Sequence, residues 1–366
     1  MDAHLQKLLF NLFCFTILLL IISGNQGVRG DSDHHHRRLL LKNRHLLNLG
    51  PNKLFVFGDS YADTGNNPIS AASSWKSPYG ITFPGKPAGR FSDGRVLTDY
   101  LAEFVGVKSP IPYRWRKVGY KQVKYGMNLA NGGTGVFQTI FSGPNMTTQI
   151  DLFQQVINVE KVYTQADLQN SLALVTLSGN DYSTYLARNG SIQGLQAFIP
   201  VVVNQLAVNL DSIRKLGIRK IALTGLQPLG CLPRSTVSSS FQRCNDNENA
   251  LVNLHNSLLQ QAVAKLNNNQ TKDAPFVVLD LYTAFMTVFQ NKGDNPGSSK
   301  FQNPLKPCCV GISSGYSCGS VDDNGVKKYT VCDDPESAFF WDGSHPSQAG
   351  WSAVYTALQT TLEQIY

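Results

Sequence analysis

Leu54-Phe55-Val56-Phe57-Gly58-Asp59-Ser60 is the stretch on which the fold turns. Four consecutive apolar residues leave no polar face. The segment is therefore predicted as a strand buried on both sides, the kind found in parallel sheets covered by helices, and Gly58 stops it. Similar runs recur at Leu172–Leu177, at Ile221–Leu223 and at Phe276–Leu281, and a weaker one precedes Asn128-Leu129-Ala130, so five strands are expected. Between them, apolar residues at helical spacing mark Leu195–Leu216 (Ile199, Val202, Val203, Leu206, Leu210, Ile213) and Asn247–Leu266, and Pro346–Tyr366 continues amphipathically after a Pro-Ser start. Strands alternating with helices imply right-handed crossovers and an α/β fold with a helical layer on each face of the sheet.

The 366 residues carry 42% apolar and 16% charged side chains, which suits a packed globular chain and excludes coiled coil, collagen and disorder. Residues 1–50 hold six of the Lys and Arg. The rest sets twenty-six against twenty-two acids with no Lys/Arg cluster on a helix, so no nucleic-acid partner is expected. After Lys7, the run Leu8–Ile22 is apolar except for Asn11 and Thr16, and small residues follow it. It reads as a signal peptide over residues 1–27, with cleavage between 24 and 30. At 1.5 Å per residue it spans about 22 Å, short of the roughly 30 Å of a bilayer core, so no stable membrane span is expected. Residues 28–50, with His34-His35-His36, read as a basic leader without fixed structure, and 51–366 as one domain.

Secretion gives the cysteines their meaning. Removing Cys14 with the signal leaves Cys231, Cys244, Cys308, Cys309, Cys318 and Cys332, an even number in an oxidising compartment, and three disulfides are predicted with their pairing open. No C-x-x-C pair occurs, and no metal site is expected. Asn145, Asn189 and Asn269 begin glycosylation sequons.

Outside residues 1–50 only two histidines remain, His255 and His345. His255 lies inside a predicted helix between Leu254 and Leu258 and reads as structural. His345 lies in a loop, three residues after Asp342, where one turn of chain can bring the carboxylate onto the imidazole Nδ1. Ligands of parallel α/β sheets bind beyond the carboxyl ends of the strands, which makes Ser60, directly after the first run, the candidate nucleophile. Oxyanion donors should come from other strand ends, and Asn131-Gly132-Gly133-Thr134-Gly135 and Gly179-Asn180-Asp181 occupy two such places. Gly311-Ile312-Ser313-Ser314-Gly315 matches a nucleophile-elbow pattern but sits in the cysteine-rich loop without the strand–turn–helix setting it needs, and is rejected. Phe83, Phe91, Phe137 and Phe141 are candidates to line an acyl pocket.

In order along the chain, Phe57-Gly58-Asp59-Ser60-Tyr61-Ala62-Asp63-Thr64-Gly65-Asn66-Asn67, Asn128-Leu129-Ala130-Asn131-Gly132-Gly133, Gly179-Asn180-Asp181 and Asp342-Gly343-Ser344-His345-Pro346 resemble the four blocks of the plant-type secreted GDSL esterase/lipases of the SGNH hydrolase superfamily. Gly89-Arg90-Phe91-Ser92-Asp93-Gly94-Arg95, Pro228-Leu229-Gly230-Cys231 and Cys308-Cys309 are also family-like. The resemblance implies a three-layer α/β/α sandwich with a five-stranded, flavodoxin-like parallel sheet. It implies a secreted carboxylic ester hydrolase that needs no cofactor and passes through an acyl-enzyme. Ser60 would be the nucleophile, His345 the general base and Asp342 its orienting carboxylate, with Ser60, Gly132 and Asn180 forming the oxyanion hole. Asn131 stands where Ser is common, which leaves Gly132 and Gly133 both open as the inward donor. The substrate is expected to be a small-molecule, glycan or lipid ester. A polysaccharide O-deacetylase or acyltransferase would use the same triad, and a secreted binding protein without turnover is the contrasting alternative.

Overall fold

The computed structural model describes residues 50–177, 179–268, 276–290 and 300–365. The signal peptide, the His34–His36 leader, Cys14 and the Asn269 sequon lie outside them. The described residues belong to one compact unit that begins at Gly50.

At the centre of the sheet is β1 (Lys53–Gly58), the strand read first from the sequence. On one side it pairs with β3 (Gly126–Asn128), which in turn holds the edge strand β2 (Ile111–Pro112). On the other side follow β4 (Ser171–Thr176), β5 (Lys220–Thr224) and β6 (Phe276–Leu279), and every pairing is parallel. Leu54 faces Gly126 on one side and Leu172 on the other, which fixes the register. The sheet has six strands rather than the five expected. The extra one is only two residues long and ends in Pro112, which has no N–H to give a further neighbour, so it leaves no periodic trace in the sequence. Without it the order β3-β1-β4-β5-β6 is the flavodoxin-like winding.

Alternation along β1 sends Phe55 and Phe57 to one face and Leu54 and Val56 to the other, all four fully buried. The helices are α1 (Leu97–Val105), α2 (Met146–Asn158), α3 (Asn180–Ala187), α4 (Ile192–Lys215), α5 (Asp246–Asn268), α6 (Leu281–Gln290) and α7 (Gln348–Leu362), with two shorter turns besides. Phe55 and Phe57 meet Phe153 of α2 at ring-centroid distances of 4.7 and 5.5 Å, and α4 and α5 extend this layer with Ile199, Val203, Leu206, Val252 and Leu259. The opposite layer is α1, α6 and α7, where Phe285, Phe339 and Trp351 interlock. Burying a side chain of this size contributes about 1.5–3 kcal/mol, so the two layers carry most of the fold's driving force. The strand expected over Phe276–Leu281 stops at Leu279, and Leu281 already belongs to α6.

The loop after α6 is held by two disulfides, Cys308–Cys332 and Cys309–Cys318, across the antiparallel pair β7 (Cys309–Gly311) and β8 (Tyr329–Val331). A third bridge, Cys231–Cys244, closes the turn before α5. The six body cysteines are thus all paired. Asn145 caps α2 through Oδ1, and Asn189 is exposed just after α3, with Ser191 of its sequon capping α4.

Candidate active site

Ser60 emerges two residues beyond β1. Gly58 makes this possible, because at φ +130° it lies against Thr176, whose carbonyl oxygen would sit 2.0 Å from any Cβ there. No helix starts after the serine; the chain turns sharply, with the Ala62 and Asp63 amides bonded to the Asp59 carbonyl. Ser60 is 7% exposed, with its Oγ 2.9 Å from His345 Nε2. His345 Nδ1 lies 2.8 and 2.9 Å from the two carboxylate oxygens of Asp342. Ser60 and, 285 residues later, the His345–Asp342 pair thus form one continuous hydrogen-bonded line.

The turn carrying Asp342 and His345 is built around the carboxylate. Asp342 Oδ1 accepts the Ser344 and His345 backbone N–H groups at 2.8 and 2.9 Å, and Oδ2 accepts the Tyr79 hydroxyl at 2.7 Å. Burial alone would raise the Asp342 carboxyl, but the His345 ring and these donors outweigh it and hold the group below the usual carboxylate range. Below the turn, Ser347 caps α7 and Asp93 accepts the Gln348 N–H at 2.7 Å, so the Gly89–Arg95 block serves to anchor the helix that follows the histidine. Phe91 of that block stacks on the His345 ring, with centroids 5.1 Å apart.

At the end of β3, the two glycines left open as the inward donor differ in their partners. The Gly132 N–H donates to Asp63 Oδ2 at 3.0 Å and to Asn67 Oδ1 at 2.5 Å. Gly133, at φ +89°, makes no amide hydrogen bond among the described residues and lies under Phe141, whose Cβ would be 2.5 Å from an added Cβ. Asn180 opens α3 beyond β4; its Nδ2 donates to the Thr134 carbonyl at 2.9 Å and reaches Asp59 Oδ2 only at 3.3 Å, leaving one of its two hydrogens weakly held. The carboxyl ends of β1, β3 and β4 therefore converge on one crevice, where the winding of the sheet changes direction.

Several residues around the site were given no individual role by the sequence reading. Asp63 is fully buried, and burial pushes its carboxyl up to about 6 despite the N–H groups of Asn66, Gly65 and Gly132 around it. Asp181 accepts the Val136 and Phe137 amides and pins the loop beyond Gly133. Gln149 of α2 mimics a strand: its Oε1 accepts the Gly58 N–H and its Nε2 donates to the Gly58 carbonyl, both at 2.8 Å. Of the candidate pocket phenylalanines, Phe91 and Phe141 flank the crevice, Phe83 lies under the Arg95 guanidinium at 4.2 Å and Phe137 packs on Phe198. His255 is 4% exposed and meets the Tyr182 hydroxyl at 2.6 Å; burial holds its ring down to about 4, so it stays neutral. Ser313 follows β7 on an irregular loop with no helix after it. Among the described residues, no three His, Cys, Asp or Glu side chains are grouped to hold a metal, and no helix is long and apolar enough to cross a membrane.

Against this geometry, the family model described as GDSL-like Lipase/Acylhydrolase matches residues 54–358. The chain belongs to the GDSL-like lipase/acylhydrolase family. Two relatives of this GDSL chain are GDSL esterase/lipases of Arabidopsis thaliana. One is 58% identical over 99% of this chain and 98% of its own length, the other 54% identical over 99% of each. Acetylajmalan esterase 2 of Rauvolfia serpentina is 31% identical over 81% of the GDSL chain and 86% of its own length.

Proposed function

We propose that this protein is a secreted carboxylic ester hydrolase in which Ser60, His345 and Asp342 work as nucleophile, general base and orienting carboxylate. The observation that carries the reading is the unbroken line from Ser60 Oγ to His345 Nε2 and from His345 Nδ1 to Asp342. In the first half-reaction Nε2 takes the Ser60 proton while Oγ bonds to the ester carbon, and the carbonyl electron pair moves onto oxygen. Collapse of that tetrahedral species breaks the bond to the alkoxy oxygen, which leaves as an alcohol with the proton from Nε2. Water then repeats the sequence on the acyl-Ser60 ester, releasing a carboxylic acid and restoring the serine. The oxyanion is received by the Ser60 and Gly133 N–H groups and the Asn180 amide, donors aimed where charge develops and already held in place.

Secretion is supported by the apolar run Leu8–Ile22 and by the pairing of all six body cysteines. The names of the relatives favour an ester substrate, and acetylajmalan esterase 2 points to small acyl groups as the first to try. The test is covalent labelling with a fluorophosphonate and mapping of the adduct, alongside hydrolysis of p-nitrophenyl acetate. The adduct should map to Ser60. Ser60→Ala should fold normally and lose turnover by several orders of magnitude, whereas Ser313→Ala should leave it intact. A folded Ser60→Ala protein with full turnover refutes the assignment.

A further inference from the structure

We infer that Tyr79 is a positioning residue for Asp342, setting the charge on its carboxylate and through it the basicity of His345; this rests on the triad reading above. The observation is spatial. Tyr79 is 3% exposed, lies 263 residues from Asp342 in sequence, and donates its hydroxyl to Asp342 Oδ2 at 2.7 Å. The two carboxylate oxygens are served unequally. Oδ1 accepts the Ser344 N–H, the His345 N–H and His345 Nδ1, whereas Oδ2 has only His345 Nδ1 and the Tyr79 hydroxyl. A phenol in that place withdraws charge from an oxygen that lies 2.9 Å from His345 Nδ1.

The ring is held as firmly as the hydroxyl. Tyr79 packs edge-on against Trp341 and Phe91, with centroids 6.1 and 6.5 Å away, in a buried cluster with Cys308, Cys309, Cys318 and Tyr329. Phe91 is the residue stacked on His345, so Tyr79 touches the catalytic turn through its hydroxyl and supports the imidazole through its ring. The cysteine-rich loop thereby acquires a task at the site: its two bridges form the wall against which Tyr79 stands. Burial, and next the adjacent Asp342 charge, push the Tyr79 hydroxyl well up, so it remains a phenol and a donor throughout the working pH range.

The other titratable groups facing the turn act elsewhere. Tyr61 donates to the Ser344 carbonyl at 2.9 Å. The Arg234 amide donates to the Gly343 carbonyl and its guanidinium to Ser344 Oγ. Asp59 lies beside Ser60 and is reached by the Tyr61 N–H and by Asn180. Besides His345, Tyr79 is the side chain among the described residues that donates to the Asp342 carboxylate.

The test is the pH–rate profile of ester hydrolysis by the full secreted chain, with turnover normalised to fluorophosphonate-titrated sites. Tyr79→Phe keeps the ring and deletes the donor, which leaves more charge on Oδ2, favours the imidazolium and should move the acid limb to higher pH. The plateau should fall about threefold to thirtyfold, the range expected for a lost hydrogen bond to a charged group that retains its other partners. Replacing Tyr79 alone with 3-fluorotyrosine makes a stronger donor of nearly the same shape and should move the limb the opposite way. This second protein also serves if Tyr79→Phe does not fold. A purely structural role predicts a lower melting temperature with the limb unmoved in both proteins, and that result overturns the inference. If wild type itself is not labelled at Ser60, the triad reading fails instead, so the two failures are distinguishable.

Discussion

His255 makes the fold sensitive to acid by an amount that can be worked out. In the folded chain burial holds the ring down to about 4, against an ordinary value of 6.5, and the Tyr182 hydroxyl, itself kept protonated by burial, donates to Nδ1 of the neutral imidazole. Between those two values the unfolded chain takes up a proton that the folded chain refuses, so stability is present above 6.5 and lost as pH falls toward 4. At 1.36 kcal/mol per pKa unit, acidification from about pH 7 to about pH 4.5 should cost about 2.5 kcal/mol through this one group. Buried Asp63, raised to about 6, works in the opposite direction over part of the same range, so the raw pH dependence of wild type is not diagnostic. The difference between proteins is. His255→Gln keeps an acceptor for Tyr182 and cannot take a proton. At neutral pH it should be less stable than wild type by about 1–3 kcal/mol through imperfect packing and hydrogen bonding, with unchanged turnover per folded molecule. Urea titrations of both proteins at the two pH values should show that penalty shrinking or reversing by about 2.5 kcal/mol on acidification. Parallel pH dependences would refute the argument, and loss of turnover in folded His255→Gln would refute the structural role of this histidine.

Asn180→Ala should lower kcat by about a hundredfold or more while leaving the melting temperature nearly unchanged, as expected for removal of one oxyanion donor. Asp342→Asn should fold and lose up to about ten-thousandfold in turnover, measured against titrated sites, because the ring loses its productive tautomer. Gly58→Ala should destabilise by about 3 kcal/mol in thermal or urea melts, since its Cβ would meet the Thr176 carbonyl oxygen in a strained backbone region. Thiol titration of the native protein should find no free body cysteine, and reduction should lower the melting temperature, each bridge being worth about 2–5 kcal/mol.

The parts of the molecule legible in the sequence are those governed by local pattern. Phe55 and Phe57 pack on one face of the sheet and Leu54 and Val56 on the other, and that two-sided burial is what an unbroken apolar run encodes. The apolar positions of α4 and α5 marked both helices. α1 has apolar residues at helical spacing, Leu97, Leu101, Phe104 and Val105, but at nine residues it is too short for that period to stand out. The run at Phe276–Leu281 could not announce where strand gives way to helix, since both are apolar there. In the site, scarcity did the work: with two histidines after residue 50, a loop histidine three residues after an aspartate stood out. The difference between Gly132 and Gly133 was beyond reach, because it lies in a hydrogen bond from Gly132 to Asp63 across 69 residues. Tyr79 was invisible for the same reason, as its partner lies beyond every local window.

Ser60 and His345 are 285 residues apart, and that separation sets an order in time as well as in space. Synthesis runs at about 5–20 residues per second, so the serine precedes its base by roughly 15 to 60 seconds. Throughout that interval the growing chain holds β1 and Ser60 while His345, the base of the proposed triad, has not yet been made. The turn of chain before α7 therefore acts as a built-in delay. On that proposal hydrolytic power arrives only with His345, and a chain cut short before Asp342 would carry all six strands of the sheet yet be incapable of the reaction.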